Sequence, residues 1–91
     1  MRFTWDPVKA QHNARKHRVT FEEAVTVFED PYARYRAQNH ADEARFSVIG
    51  YSATSRCLFV VSVELENKAR IVSAREATRY EKKLYQEDAY R

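Results

Sequence analysis

Three strand-patterned runs crowd the second half of the chain, and their spacing leaves little freedom of topology. Arg45 to Ser52, Leu58 to Glu64 and Lys68 to Ser73 each carry β-branched or aromatic residues and are separated by only a few positions. Connections this short cannot carry a crossover, so the runs are expected to pair antiparallel. In the middle run Phe59, Val61 and Val63 form a uniformly apolar face, expected to pack on helices, while Leu58, Val60, Ser62 and Glu64 form a mixed one. On the next strand Ala69 and Ile71 are the core-facing set, which leaves Arg70 and Val72 on the face with Glu64. A three-residue turn, Glu66-Asn67-Lys68, would set Glu64 across from Arg70, whereas a two- or four-residue turn would put them on opposite faces. Tyr32 to Ala37 is a weaker strand candidate, followed by a polar loop from Asn39 to Glu43.

Helix signals flank the sheet. Asp6-Pro7 is an N-cap followed by proline at the first helical position, so Val8 to about His17 reads as a polar helix. Thr20 with Glu23 is a capping box, and Phe21, Ala24, Val25 and Phe28 fall at i, i+3, i+4 and i+7. The helix from Phe21 to Glu29 should bury that stripe and stop at Asp30-Pro31. Ser73 with Glu76 reads as another capping box, opening a helix from Ala74 to about Ala89 with Ala77, Tyr80 and Leu84 buried. Free backbone N–H groups at such a helix start, beside Arg70 and Arg75, would suit an anion. The expected class is α+β: an N-terminal helical hairpin, a three- to four-stranded antiparallel sheet and a C-terminal helix.

Composition narrows the function. At 91 residues the chain is expected to form a single domain, 1–91, with a modest core. The formal charge of +3 favours polyanionic partners, and residues 32–91 hold the whole excess. The lone Cys57 forbids an internal disulfide, and the N-terminus lacks the apolar core of a secretory signal, so a cytoplasmic location is expected. No apolar stretch approaches the ~20 residues of a membrane span. His12 and His17 are five apart and miss the i, i+4 spacing of helical metal ligands, and Asp42-Glu43 has no convincing ligand partners, so no metal is expected. Neither a serine-nucleophile motif nor a glycine-rich phosphate loop is present, and the sole glycine, Gly50, lies within a strand run. Tyr32, Tyr35 and Tyr51 could offer stacking surface to bases, or to a partner protein.

A longer ordered set of residues is more specific. Phe3, Trp5-Asp6, Lys9, Asn13, Lys16-His17, Phe21-Glu22-Glu23-Ala24, Val27-Phe28 and Asp30-Pro31 are followed by Glu43, Arg45-Phe46, Ile49-Gly50, Ser52, Arg56, Val60-Val61 and Glu64. Arg70-Ile71, Ser73-Ala74-Arg75, Ala77-Thr78, Glu81 and Tyr85 complete it. The set resembles the BrnT-type ribonuclease toxins of bacterial type II toxin-antitoxin systems. That resemblance implies a fold like the RelE toxins, RNA cleavage without a cofactor, and neutralisation by a BrnA-like antitoxin with a ribbon-helix-helix region. Operator DNA would then be met only through the antitoxin complex, and the antitoxin would cover the basic face. Two departures stand out: Arg18 replaces a usual glycine, and the turn near Glu66-Asn67 lacks one.

RNA carries its own nucleophile, the 2′-hydroxyl, so a general base and cations can suffice for cleavage. Glu64 is the candidate base, Arg70 and Arg75 the phosphate grip, and Tyr85 or His40 the group assisting the leaving oxygen. Arg45, Arg56, Lys68 and Arg79 are candidate RNA-binding cations. The plainer readings are a cross-strand Glu64–Arg70 ion pair, a Tyr85 that only stacks or hydrogen-bonds, and a non-catalytic nucleic-acid-binding or protein-interaction module.

Overall fold

A computed structural model describes residues 2–38 and 43–87. In chain order these form β1 (Arg2–Thr4), α1 (Pro7–His17), α2 (Phe21–Thr26) prolonged by a 3-10 turn (Val27–Glu29), β2 (Arg34–Gln38), β3 (Arg45–Tyr51), β4 (Cys57–Leu65), β5 (Lys68–Glu76) and α3 (Arg79–Gln86). The N-caps of the first two helices are those the sequence announces: the Asp6 carboxylate accepts from the Val8 N–H at 2.9 Å, and Thr20 Oγ1 from the Glu23 N–H at 3.0 Å, although the expected box is half made because the Glu23 carboxylate goes to Arg56 instead of the Thr20 N–H. No helix among the described residues is long and apolar enough to cross a membrane.

The sheet has five strands in the order β1-β5-β4-β3-β2 and is mixed, since β1 runs parallel to β5 while the other pairs are antiparallel. This corrects the expected three or four antiparallel strands. Three residues are too few to show an alternating pattern, which is why β1 escapes a periodicity search.

Register decides the faces. Leu65 pairs with Lys68, so the β4–β5 turn has two residues, Glu66 and Asn67, and Glu64 lies opposite Ala69 while Arg70 lies opposite Val63. Glu64 and Arg70 therefore occupy opposite faces, contrary to the three-residue turn. The apolar set of β4 is also reversed. Leu58 and Val60, with Val48 of β3 and Ile71 and Ala74 of β5, pack against Phe21, Ala24 and Val27 of the helical layer. Phe59, Val61 and Val63 turn the other way, toward the outer face, where Phe59, like Leu84 and Tyr85 of α3, packs against the cluster of Ile49, Cys57 and Ala77. Pattern alone misled here because both faces of the central strand are largely covered.

A bulge in β5 sets the rest. Val61 pairs with Ser73 but Ser62 pairs with Ile71, so Val72 is an extra residue. Ile71 and Ala74 thereby both face the helices, and Arg70 and Arg75, five residues apart, both face outward. In an uninterrupted strand an odd separation would have split them. Beyond Arg70 the outer edge of β5 has no strand neighbour among the described residues, and buried Asn13 of α1 supplies the missing amide. Its Nδ2 donates to the Ala74 carbonyl at 2.8 Å and the Val19 carbonyl at 3.0 Å, and its Oδ1 accepts from the Ala74 N–H at 3.2 Å.

The expected helical hairpin is looser than the sequence suggested, because α1 and α2 each pack more against β5 than against each other. The Ser73–Glu76 capping box does not form, since β5 runs on through Glu76. The box is Thr78 with Glu81, and α3 starts at Arg79 rather than at Ala74. Of the expected stripe, Ala77 is buried and Leu84 half-buried, but Tyr80 is exposed and Tyr85 takes its place against the sheet. The positions lacking the family's glycine both sit in the left-handed region, Arg18 at φ 59° and Asn67 at φ 60°. Gly50 is needed for a different reason: a Cβ there would lie 2.9 Å from Val27 Cγ1 and 3.2 Å from the Asp30 carboxylate.

Replacing Asn13 by Ala leaves both Ala74 backbone groups without their amide partner, and stability should drop by about 2–4 kcal/mol, since buried unsatisfied groups cost about 1–3 kcal/mol each. Urea unfolding of the two proteins measures the difference.

Candidate nucleic-acid interface

The outer face of the sheet gathers cations from several strands. Arg45 of β3 and Arg70 of β5 flank Val63, while Arg75 lies beside Phe59. Lys68 shares the face of Arg70 at the exposed start of β5, and Arg34 and Arg36 hold the same face on β2, paired with Ile49 and Ser47. Half-buried Val61 and Phe59 form an apolar floor between them. Basic side chains around apolar ground suit a phosphate backbone with its bases turned inward.

Arg75 is the most fixed of these cations. Its two terminal nitrogens each reach Glu81 at 2.8 Å, and its guanidinium stacks 4.5 Å from the Phe59 ring centre. Glu81 also accepts from the Thr78 N–H at 2.9 Å, so one carboxylate caps α3 and holds Arg75. Burial works to raise the Glu81 pKa, but the Arg75 and Thr78 hydrogen bonds outweigh it and keep the carboxyl below its ordinary range.

At the other end Glu43 lies between two arginines, 2.7 Å from Arg45 and 3.1 Å from Arg70. Asp6 and Lys9 at the start of α1 join these three in lining a polar cleft of about 220 Å³. Sequence reasoning passed over Glu43 as a site residue. Its usable signal was the i, i+2 spacing to Arg45 beside the start of a strand. Among the described residues no cluster of three His, Cys, Asp or Glu is arranged to hold a metal ion.

The candidate residues separate into distinct places. Glu64 is exposed on the helix-side face, where it lines an apolar groove with Phe3, Phe28, Phe46 and Ala69. It cannot work on a phosphate bound by the outward arginines. Arg70 and Arg75 do share a face, but five residues of strand separate them by roughly 15 Å, so they suit two phosphates along a chain better than a single one. Tyr85 donates its hydroxyl to Asp30 at 2.7 Å and stands edge-on to Tyr51. Desolvation, then the Asp30 carboxylate, pushes its pKa well above the ordinary phenol value, the wrong direction for an acid. Arg79 is exposed in the first turn of α3. His40 lies outside the described residues.

Arg56 belongs to a structural clasp. Its Nε donates to Glu23 at 3.0 Å, a second nitrogen reaches the other Glu23 oxygen, and it also meets the Arg18 carbonyl at 2.9 Å and Glu76 at 3.5 Å. Ser52 and Thr54 hydroxyls donate to the same Glu23, pinning the β3–β4 loop to α2. Asp30 plays a comparable part, accepting from the Tyr32 and Tyr51 N–H groups and from Tyr85. Cys57 is buried, and burial pushes its thiol pKa up, which makes it a poor nucleophile. The expected exposure of Tyr32, Tyr35 and Tyr51 is met, although Tyr35 packs on Phe28 and Phe46 at the helix-side face, away from the arginines.

The fold matches a solved ribonuclease toxin. The crystal structure of BrnT from Brucella abortus, determined at 1.1 Å, superposes with a TM-score of 0.69 at 23% identity, over 87% of this chain and 99% of that one. The family model described as the ribonuclease toxin BrnT of type II toxin-antitoxin systems matches residues 5–81, and the chain belongs to that family. No curated protein matches it significantly.

The Glu23 clasp generates a pH prediction. The Arg56 hydrogen bond holds the Glu23 carboxyl at about 2 against an ordinary 4.5, so its contribution to stability is full above pH 4.5 and is lost as pH falls through 2. Between pH 5 and 2 the native protein should lose about 1–3 kcal/mol more stability than Glu23→Gln, allowing for partial solvent screening. Parallel denaturant titrations across that range provide the check.

Proposed function

We propose that the chain is a cytoplasmic, metal-independent endoribonuclease toxin that cuts RNA laid along the outer sheet face. In this reading a BrnA-like ribbon-helix-helix antitoxin neutralises it and carries the pair to operator DNA. Family membership supports the RNA target and the antitoxin partner. The observation that carries the reading is the bulge at Val72, which brings Arg70 and Arg75 onto one face beside Arg45. Arginine grips phosphate through a planar fork of donors and keeps its charge at any working pH.

The base moves from Glu64 to Glu43, since Glu43 is the carboxylate held among outward arginines. Glu43 takes the proton of a 2′-hydroxyl, whose oxygen attacks the adjacent phosphorus. The bond to the 5′-oxygen then breaks, leaving a 2′,3′-cyclic phosphate and a 5′-hydroxyl. Arg45 and Arg70 orient Glu43 and offset the charge that builds on the phosphorane oxygens. Solvent supplies the proton for the leaving oxygen, because Tyr85 is engaged by Asp30. Arg75, stacked on Phe59, fits a neighbouring phosphate and positions the strand.

Cleavage of an end-labelled RNA in excess EDTA is the test. Glu43→Gln should bind RNA but cut it about 10² to 10⁴ times more slowly, the usual range for general-base catalysis. Glu64→Gln should retain native turnover. RNA that is bound by the native protein yet stays intact would instead make the chain a binding module.

The same face should respond to salt. Each phosphate contact on single-stranded RNA contributes roughly −0.7 to the slope of log affinity against log salt. Arg70→Ala and Arg75→Ala should each flatten that slope by about one such increment. Fluorescence anisotropy over a salt series measures it, and identical slopes would remove the arginines from the interface.

A further inference from the structure

The helix-side groove takes no part in the chemistry described above. It measures about 670 Å³, within the range of formed binding sites, and is lined by Phe3, Val25, Phe28, Tyr35 and Phe46. Their rings form a continuous set, with Phe28 4.8 Å from Phe3, 6.1 Å from Tyr35 and 6.3 Å from Phe46. Its charged lining is Arg36 with two exposed carboxylates, Glu29 and Glu64, and neither carboxylate makes an ion pair with any described residue. The groove crosses the helix-side face of the sheet from Phe3 of β1 to Tyr35 and Ala37 of β2, and so ends at β2, an edge strand whose outer side has no strand partner among the described residues.

We propose that this groove and the β2 edge are the anchoring site of the antitoxin, which adds a strand alongside β2 and seats apolar side chains in the groove. The inference rests on the toxin-antitoxin reading above. An unpaired edge offers main-chain hydrogen bonds, and pockets for alternate side chains give such a strand its register. Charge defines the occupant further. Side chains entering the groove are apolar, with a Lys or Arg among them to meet Glu29 and Glu64. A second copy of this chain fits poorly, since pairing β2 with β2 would bring four arginines onto one face. The β2 edge also borders both faces of the sheet. A partner anchored there can continue over the edge and cover the outer arginines, so inhibition needs no conformational change.

The test uses the full chain with the antitoxin from the neighbouring reading frame. Ala37→Asp places a charge at an exposed position lining the groove, and Glu29→Lys reverses one rim charge. Each should weaken antitoxin binding at least tenfold by calorimetry while RNA cleavage and thermal midpoint stay native. Hydrogen exchange on the native complex should show new protection of the amides of 34–38. Native antitoxin affinity in both variants, with protection confined to β5 and α3, would overturn the groove while leaving the toxin-antitoxin reading intact. Failure of the unaltered chain to bind the antitoxin at all would overturn both.

Discussion

The side-chain amide of Asn13 is the contact on which the arrangement turns. One α1 residue completes the backbone hydrogen bonds of Ala74, two positions past the bulge, and at the same time ties the end of α1 through Val19. A β-bulge costs regular pairing, and a bulge at a sheet edge needs outside donors and acceptors to remain a single conformation. Asn13 supplies one of each from a buried position, where an amide without partners would be expensive. Helix, strand register and the outward direction of Arg75 are therefore fixed together.

The charges on the outer face are held loosely at one end and firmly at the other. Arg70 is well exposed, and an ion pair such as Arg70–Glu43 in solvent contributes only about 0–1 kcal/mol, so Arg70 can turn donors to a phosphate at little cost while Arg45 keeps its hold on Glu43. Arg75 is held by a two-point pair, a ring and a helix cap, and its partner Glu81 is nearly buried. The first arrangement suits a site that must exchange partners during a reaction. The second suits a fixed point that sets the path of the RNA. Helix α3 thus holds Arg75 in place through Glu81, the same carboxylate that caps its own N-terminus.

Local signals were legible in the sequence because they depend on near neighbours. Asp6-Pro7, Thr20 as an N-cap, the first two of the main strand runs to within a residue at each end, the start of the third and the burial of Cys57 appear as read. Signals that depend on pairing were not. A single turn residue decides whether Glu64 and Arg70 share a face, and Asn67, taking φ 60° without being glycine, allowed a shorter turn than the three-residue one. The bulge at Val72 leaves no mark on composition, and its companion Asn13 sits 61 positions away from Ala74. Ser73 with Glu76 showed the right residues for a cap, but β5 continued because Val61, Val60, Phe59 and Leu58 offered it a partner through Glu76. Glu43 was overlooked because its partners come from two strands that the sequence alone does not align.

The central claim is that RNA lies on the outer face, across Arg45, Arg70 and Arg75. Titrating isotopically labelled protein with an RNA whose 2′-hydroxyls are methylated tests it most directly, because such an RNA can bind but cannot supply the nucleophile. Chemical shifts should move at the side-chain Nε–H groups of those three arginines and at the amides of Val61 and Val63, with Glu64, Phe28 and Phe46 unmoved. Shifts gathered instead around Glu64 and the helix-side groove, with the arginines silent, would contradict the account.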